Sequence, residues 1–224
     1  MTEQTSAREL FRAAYEHRYT WDENFPGYSA DVQLKQGEEI YNGKIKINRD
    51  LSVEVTGIED EQVQESVYTQ LRDVVTHRKR SQFDQAHGKN EFSLGNSDAS
   101  GAVEILVKGD AMGSNYKVRG TEICQVSRVM GRMAFVIDTQ ESLDTGNGYV
   151  STRYDVVFRN PQTNEVIRVL NFNDTFQQVG NYYLMTNQVV QSYENGDANG
   201  TGKALRTTTQ FNFSNVKLLE PVAV

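Results

Sequence analysis

The sequence predicts an α+β domain: a large curled antiparallel sheet, half-barrel-like, covered by two main helices. Three observations predict it. Val outnumbers Leu 24 to 12, and 11 Tyr and 10 Phe add to a set of residue types that fit a pleated, half-buried surface. Apolar residues recur with a period of two over about eleven segments, the mark of half-buried strands. Long runs with helical spacing occur only twice. At 224 residues the chain is most economically one domain, 1–224, large enough to hold a core without disulfide or metal.

The elements follow in order. Ser6 with Glu9 three residues on forms a capping-box pattern, and Leu10, Phe11, Ala14 and Tyr15 continue it at helical spacing, which predicts a helix over 6–18. Ala30, Val32 and Leu34, then Gly43, Ile45 and Ile47, then Leu51, Val53 and Val55 predict a three-strand meander. After Asp60 a stripe of Val63, Val67, Leu71, Val74 and Val75 predicts a second helix over 61–80, closed by Arg78, Lys79 and Arg80, whose charges complement the helix dipole. Val32, Leu34, Ile45, Ile47, Val53 and Val67 are expected in one core. Residues 84–101 and 194–203 lack periodicity and read as loops.

Between and beyond those loops lie about eight more strands: 103–107, 116–118, 123–129, 133–137, 149–158, 166–172, 182–190 and 205–213. Asn160-Pro161-Gln162-Thr163-Asn164 supplies turn residues that make 149–158 and 165–172 antiparallel neighbours. Gly109-Asp110-Ala111-Met112-Gly113 and Gly146-Asn147-Gly148 follow strands and open no helix, so they read as turns and not as phosphate cradles.

Net charge is −7 and the pI about 5.1, which argues against a nucleic-acid partner. No secretory signal pattern opens the chain and no window approaches 18 consecutive apolar residues, so a soluble, cytoplasmic protein without a transmembrane segment is expected. On that reading the glycosylation patterns at Asn173, Asn199 and Asn212 are chance matches. Cys124, the single cysteine, is expected as a reduced, half-buried and inert thiol. The three histidines, His17, His77 and His87, form no metal motif, and no catalytic signature is present, so no metal, cofactor or catalytic residue is expected.

The densest feature is Arg18-Tyr19-Thr20-Trp21-Asp22-Glu23-Asn24-Phe25-Pro26-Gly27-Tyr28, with four large aromatic residues in eleven positions between a helix and a strand. Such apolar mass in a connection packs on the core or on a partner. A second aromatic group, Phe172, Phe176, Tyr182 and Tyr183, flanks Val179-Gly180-Asn181. The basic run from His77 to Arg80 suits an anion or a solvated helix end.

These residues carry a resemblance. Arg18-Tyr19-Thr20-Trp21, Phe25-Pro26-Gly27-Tyr28, His77-Arg78 and Val179-Gly180-Asn181-Tyr182-Tyr183 together resemble a cyanobacterial and plastid family that goes by the name of a domain of unknown function. That resemblance spans nearly the whole chain and implies no activity or catalytic residue. More distantly, the order of helix, meander, helix and long antiparallel run is similar to the lipoprotein-carrier fold, which implies an apolar cavity between sheet and helices.

The resulting expectation is a non-enzymatic protein that binds an apolar or amphipathic small molecule, a lipid or pigment-related compound, between sheet and helices. Its expected ligand-binding residues are Trp21, Phe25, Tyr28, His77 and Arg78. The alternative is an interaction or assembly factor, photosynthesis-related, that uses the aromatic loop 19–28 as a contact surface. A third reading is an enzyme with a site near His77, Arg78 and Tyr28.

Overall fold

Ser6 accepts a hydrogen bond from the backbone of Glu9 while the Glu9 carboxylate accepts one from the backbone of Ser6, and this reciprocal cap starts helix α1 (Ala7–Glu16). The computed structural model describes residues 6–109, 114–194 and 205–220. Helix α1 stops two residues short of the expected end because the backbone after it pairs elsewhere: Tyr149 N–H donates to His17 O, and Tyr19 N–H donates to Tyr149 O. Gly148 makes that approach possible. Its φ is +119°, and a Cβ there would sit 2.4 Å from His17 O.

The meander forms as expected, with β1 (Tyr28–Gln36), β2 (Glu39–Ile47) and β3 (Val53–Thr56) antiparallel. Asp60 caps α2 (Glu61–Arg78) through the backbone N–H groups of Gln62 and Val63. The stripe Val63, Val67, Leu71, Val74 and Val75 is buried, and the helix packs against β3. Val32, Leu34, Ile45, Ile47 and Val67 are buried, but Val53 is only half-buried, and Val55 is the inward residue of this short edge strand. Helix α2 ends at Arg78, because Lys79 is extended and Trp21 N–H donates to Arg78 O at 2.8 Å.

Residues 84–101, expected as a loop, are partly regular. A short helix, α3 (Phe83–His87), and strand β4 (Glu91–Ser97) occupy them. The helix is too short to display a period, and β4 lies at the sheet edge with mostly exposed residues, so neither presents an alternating apolar row. The remaining strands are β5 (Val103–Lys108), β6 (Asn115–Arg119), β7 (Glu122–Met130), β8 (Met133–Asp144), β9 (Tyr149–Arg159), β10 (Val166–Val179), β11 (Tyr182–Glu194) and β12 (Leu205–Leu218). Residues 195–203 of the second expected loop, with the Asn199 pattern, lie outside the described residues, as do 110–113 of the first glycine turn.

The twelve strands form one open, antiparallel sheet in the order β3-β2-β1-β12-β11-β10-β9-β8-β7-β6-β5-β4. Every neighbour is consecutive in sequence except β1 and β12, where Tyr28 pairs with Leu218 and Val32 with Phe213. Among the described residues the fold is therefore mostly β, with three helices. By packing the chain divides into two compact units. Unit 1 is Met1–Tyr19, Ser81–Phe172 and Ser192–Arg206; unit 2 is Thr20–Arg80, Asn173–Gln191 and Thr207–Val224. Each has its own main helix, α1 in unit 1 and α2 in unit 2. Among the described residues no helix is long and apolar enough to cross a membrane.

Candidate functional site

The aromatic connection resolves into a packed cluster in unit 2. Trp21 stacks on Phe25 with ring centroids 4.1 Å apart and planes 14° apart; Tyr28 meets Trp21 edge-on at 6.1 Å, and Tyr182 meets Phe25 at 5.0 Å. The indole N–H of Trp21 donates to Tyr183 O at 3.4 Å, and the Tyr182 hydroxyl donates to Asp22 at 2.9 Å. The Phe25-Pro26-Gly27-Tyr28 and Val179-Gly180-Asn181-Tyr182-Tyr183 motifs thus converge through their rings. Gly27, at φ +88°, permits the close turn, since a Cβ there would lie 2.3 Å from Ile47 O. The rings are filled core: Trp21 is 3% exposed, Phe25 2% and Tyr28 1%. Burial pushes the Tyr28 phenol up from its ordinary pKa, so it stays protonated.

Of the other expected site residues, Arg78 joins the cluster through its backbone carbonyl, while its guanidinium lies 5.9 Å from the Phe176 ring. His77 is exposed and sits 3.6 Å from Asp73 one turn back on α2. His87 belongs to unit 1 and His77 to unit 2, and among the described residues no group of three His, Cys, Asp or Glu is placed to hold a metal ion.

In unit 1, α1 lays Phe11 and Tyr15 against β4–β7. Phe11 contacts the Tyr116 ring at 4.4 Å and the His87 ring at 5.1 Å. Asn90 Nδ2 donates to His87 Nδ1 at 3.2 Å, which leaves the imidazole proton on Nε2. Burial, reinforced by the positive charges of Arg18, Arg128 and Arg8, pushes the His87 pKa down to about 4, so the ring is a neutral core group at pH 7.

Beyond α1 the same sheet face changes character. Strand registers pair Val126 with Ile137, Arg128 with Phe135, Met130 with Met133, Phe135 with Phe158 and Ile137 with Val156, so these alternate residues share one face. Ring and cation contacts carry the row onto β10: Arg168 lies 4.8 Å from the Phe158 centroid, and Phe172 stacks on Tyr154 at 4.6 Å. Phe135, Tyr154, Phe158, Leu170 and Phe172 are all only half-buried, and Met130 and Met133 are 49% and 42% exposed. This is an apolar platform of aromatic and Met side chains with arginines set into it. Sequence reasoning missed it. The strands and their alternation were legible, but not which of them a helix covers.

A separate cleft of about 330 Å³ in unit 1 is lined by Arg119, Thr121, Glu122, Cys124, Thr139, Gln140 and Ser142. It is polar. The Cys124 thiol faces it buried, with its Sγ 3.5 Å from Lys117 O, and burial raises its pKa, which keeps it a thiol and not an activated nucleophile.

Comparisons with known proteins add a family and little more. The family model for DUF3386, described as a protein of unknown function, matches residues 2–219, and the chain belongs to that family. Comparison with curated proteins finds no match. Among solved structures, a DUF1329 family protein from Desulfovibrio piger is 8% identical with a TM-score of 0.29, over 98% of this chain and 96% of that one. MucB in complex with MucA(peri) is 8% identical with a TM-score of 0.23, over 96% of this chain and all of the other. Likenesses at these scores carry no argument.

Proposed function

We propose that this member of DUF3386 is a non-enzymatic binding protein for an apolar or amphipathic small molecule, and that the molecule lies on the β7–β10 face of unit 1. One observation carries the reading: the half-exposed platform of Met130, Met133, Phe135, Phe158, Tyr154 and Phe172, all on one sheet face. Apolar surface left in water is unfavourable by about 25 cal/mol per Å², and a contiguous patch of it marks a binding surface. Flat rings and adaptable Met side chains suit a chain or a fused-ring compound.

On this reading the Trp21, Phe25 and Tyr28 cluster is a structural plug, and Arg78 and His77 serve the end of α2. The expected residues therefore give way to the β7–β10 row as the contact surface. A sheet-bound ligand needs no catalytic group, and the neutral His87 and protonated Cys124 are consistent with that.

The test is native mass spectrometry of the full chain purified from its own host, alongside Phe158→Ser. A co-purifying small molecule that is lost in the variant, with circular dichroism unchanged, is the expected result. Absence of any small-molecule mass, together with no saturable binding of amphiphiles from eight to sixteen carbons, overturns the reading. Co-purification of a protein instead, displaced by Phe158→Ser, favours the interaction reading at this same face.

A further inference from the structure

The platform is apolar, but two of the side chains set into it are arginines, and neither has a counter-ion among the described residues. Arg128 on β7 stands opposite Phe135 in the register, and Arg168 on β10 lies over Phe158 on the far side of the same ring pair. Both are half-buried. Four other cations of unit 1 have carboxylate partners, Arg8 and Arg12 with Asp84, Lys117 with Asp98, and Arg153 with Glu141, and Arg18, Arg119 and Arg159 donate to neutral oxygens instead. Among the described residues Arg128 and Arg168 make no such pair. This is in a chain with 30 acidic against 23 basic side chains, where a carboxylate partner is the easier outcome.

Arg128 is the sharper case. Its Nε is buried with no hydrogen-bond partner among the described residues, and Nη2 makes one long contact, 3.4 Å, to the Tyr116 hydroxyl. A guanidinium presents five N–H donors in a rigid fork that matches a planar or tetrahedral oxyanion, and a donor buried without an acceptor is costly.

We propose, resting on the binding face described above, that its ligand is an anionic amphiphile: an acidic oxyanion head is taken by Arg128, the apolar body lies on Phe135, Phe158, Met130 and Met133, and Arg168, beyond that ring pair, adds positive potential to the face. The head is a carboxylate or a phosphate ester. A head that draws the half-buried Arg128 side chain onto the platform would give its unpartnered donors charge-assisted, forked hydrogen bonds.

The experiment measures binding of dodecanoate, dodecyl phosphate and dodecanol to the full chain by calorimetry below their aggregation concentrations, with Arg128→Gln, Arg168→Gln and, as a control, Arg153→Gln. Either anion is expected to bind at least about tenfold more tightly than the alcohol. Arg128→Gln should lower anion affinity by about tenfold to a hundredfold and leave dodecanol binding unchanged, Arg168→Gln should have a smaller effect in the same sense, and Arg153→Gln should have none. Tighter binding of dodecyl phosphate supports a phosphate head, and tighter binding of dodecanoate a carboxylate head. Equal affinity for alcohol and anions overturns the inference while leaving the binding face intact; no binding of any of the three removes the binding face itself. The wild-type comparison needs no variant, so a misfolded Arg128→Gln does not rescue the proposal.

Discussion

Two aromatic groups of similar make-up meet opposite fates in this protein. In unit 2, Trp21, Phe25, Tyr28 and Tyr182 stack and cross at 4.1 to 6.4 Å, and the first three are almost wholly buried. In unit 1, Phe135 with Phe158 and Tyr154 with Phe172 lie 6.1 and 4.6 Å apart, comparable ring geometry, yet all four remain half-exposed. Ring packing therefore does not distinguish a plug from a platform. What distinguishes them is the backbone around them. The Trp21 cluster is tied by hydrogen bonds from the Trp21 backbone and indole N–H groups to the carbonyls of Arg78 and Tyr183, while the Phe135 row runs across open strands of a sheet whose covering helix packs on β4, β6 and β7.

The largest expected effect breaks the comparison on the unit 2 side. Trp21→Ala should cost about 3 to 5 kcal/mol in urea unfolding, as loss of a core Trp does. The unfolding should be followed by circular dichroism, because the variant has no tryptophan left. A cost below about 1 kcal/mol would mean that the ring is not core, and the contrast with unit 1 would fall.

Acid should separate unit 1 from ordinary histidine behaviour. His87 has a folded-state pKa of about 4 against an ordinary value of 6.5, so the unfolded chain binds the extra proton first as pH falls. Its contribution is fully present above pH 6.5 and is lost as pH falls toward 4, by at most about 3 kcal/mol. The positive charges of Arg18, Arg128 and Arg8 reinforce the effect. Denaturation at pH 7, 5.5 and 4 should show this slope in the wild type and a weaker one in His87→Phe; equal slopes would place the acid sensitivity elsewhere.

Gln188 on β11 sharpens the picture of unit 2 as closed core. It is fully buried, and neither of its amide atoms has a hydrogen-bond partner among the described residues. Replacing it with Leu removes a buried, unsatisfied amide and should stabilise the protein by about 1 to 3 kcal/mol in the same assay. A destabilised variant would show that the amide has a partner worth keeping. By contrast Phe158→Ala, on the platform, should cost only about 1 kcal/mol of stability, as half-exposed positions do.

Much of this arrangement was legible in the sequence. Ser6 with Glu9 and Asp60 marked the helix starts, and strict alternation placed the meander and most later strands, because caps and period-two burial are local properties. The strand ends were less legible. Strand β8 runs on through Thr139, Gln140 and Glu141, and β10 through Asn173 and Asp174, where polar residues break the apolar row but the strand continues. Edge strand β4 had no buried face to announce it. For the site, the concentration of aromatic mass around Trp21 was visible, and its burial was not, since burial depends on Arg78, Tyr182 and Tyr183 arriving from distant segments. Arg128 gave no signal at all: one arginine in an alternating strand reads as a solvent-facing residue, and only the register with Phe135 shows otherwise.

The central claim is that the ligand meets the β7–β10 face of unit 1 and not the Trp21 cluster. Two-dimensional ¹⁵N NMR of the full chain during a dodecanoate titration tests it most directly, because the single indole N–H reports Trp21 while the Phe135 and Phe158 amides and the Arg128 Nε–H report the platform. Saturable shifts at Phe135, Phe158 and Arg128, with the Trp21 indole unmoved, are predicted. A saturable shift of the indole with the β8 and β9 amides unmoved would contradict the account.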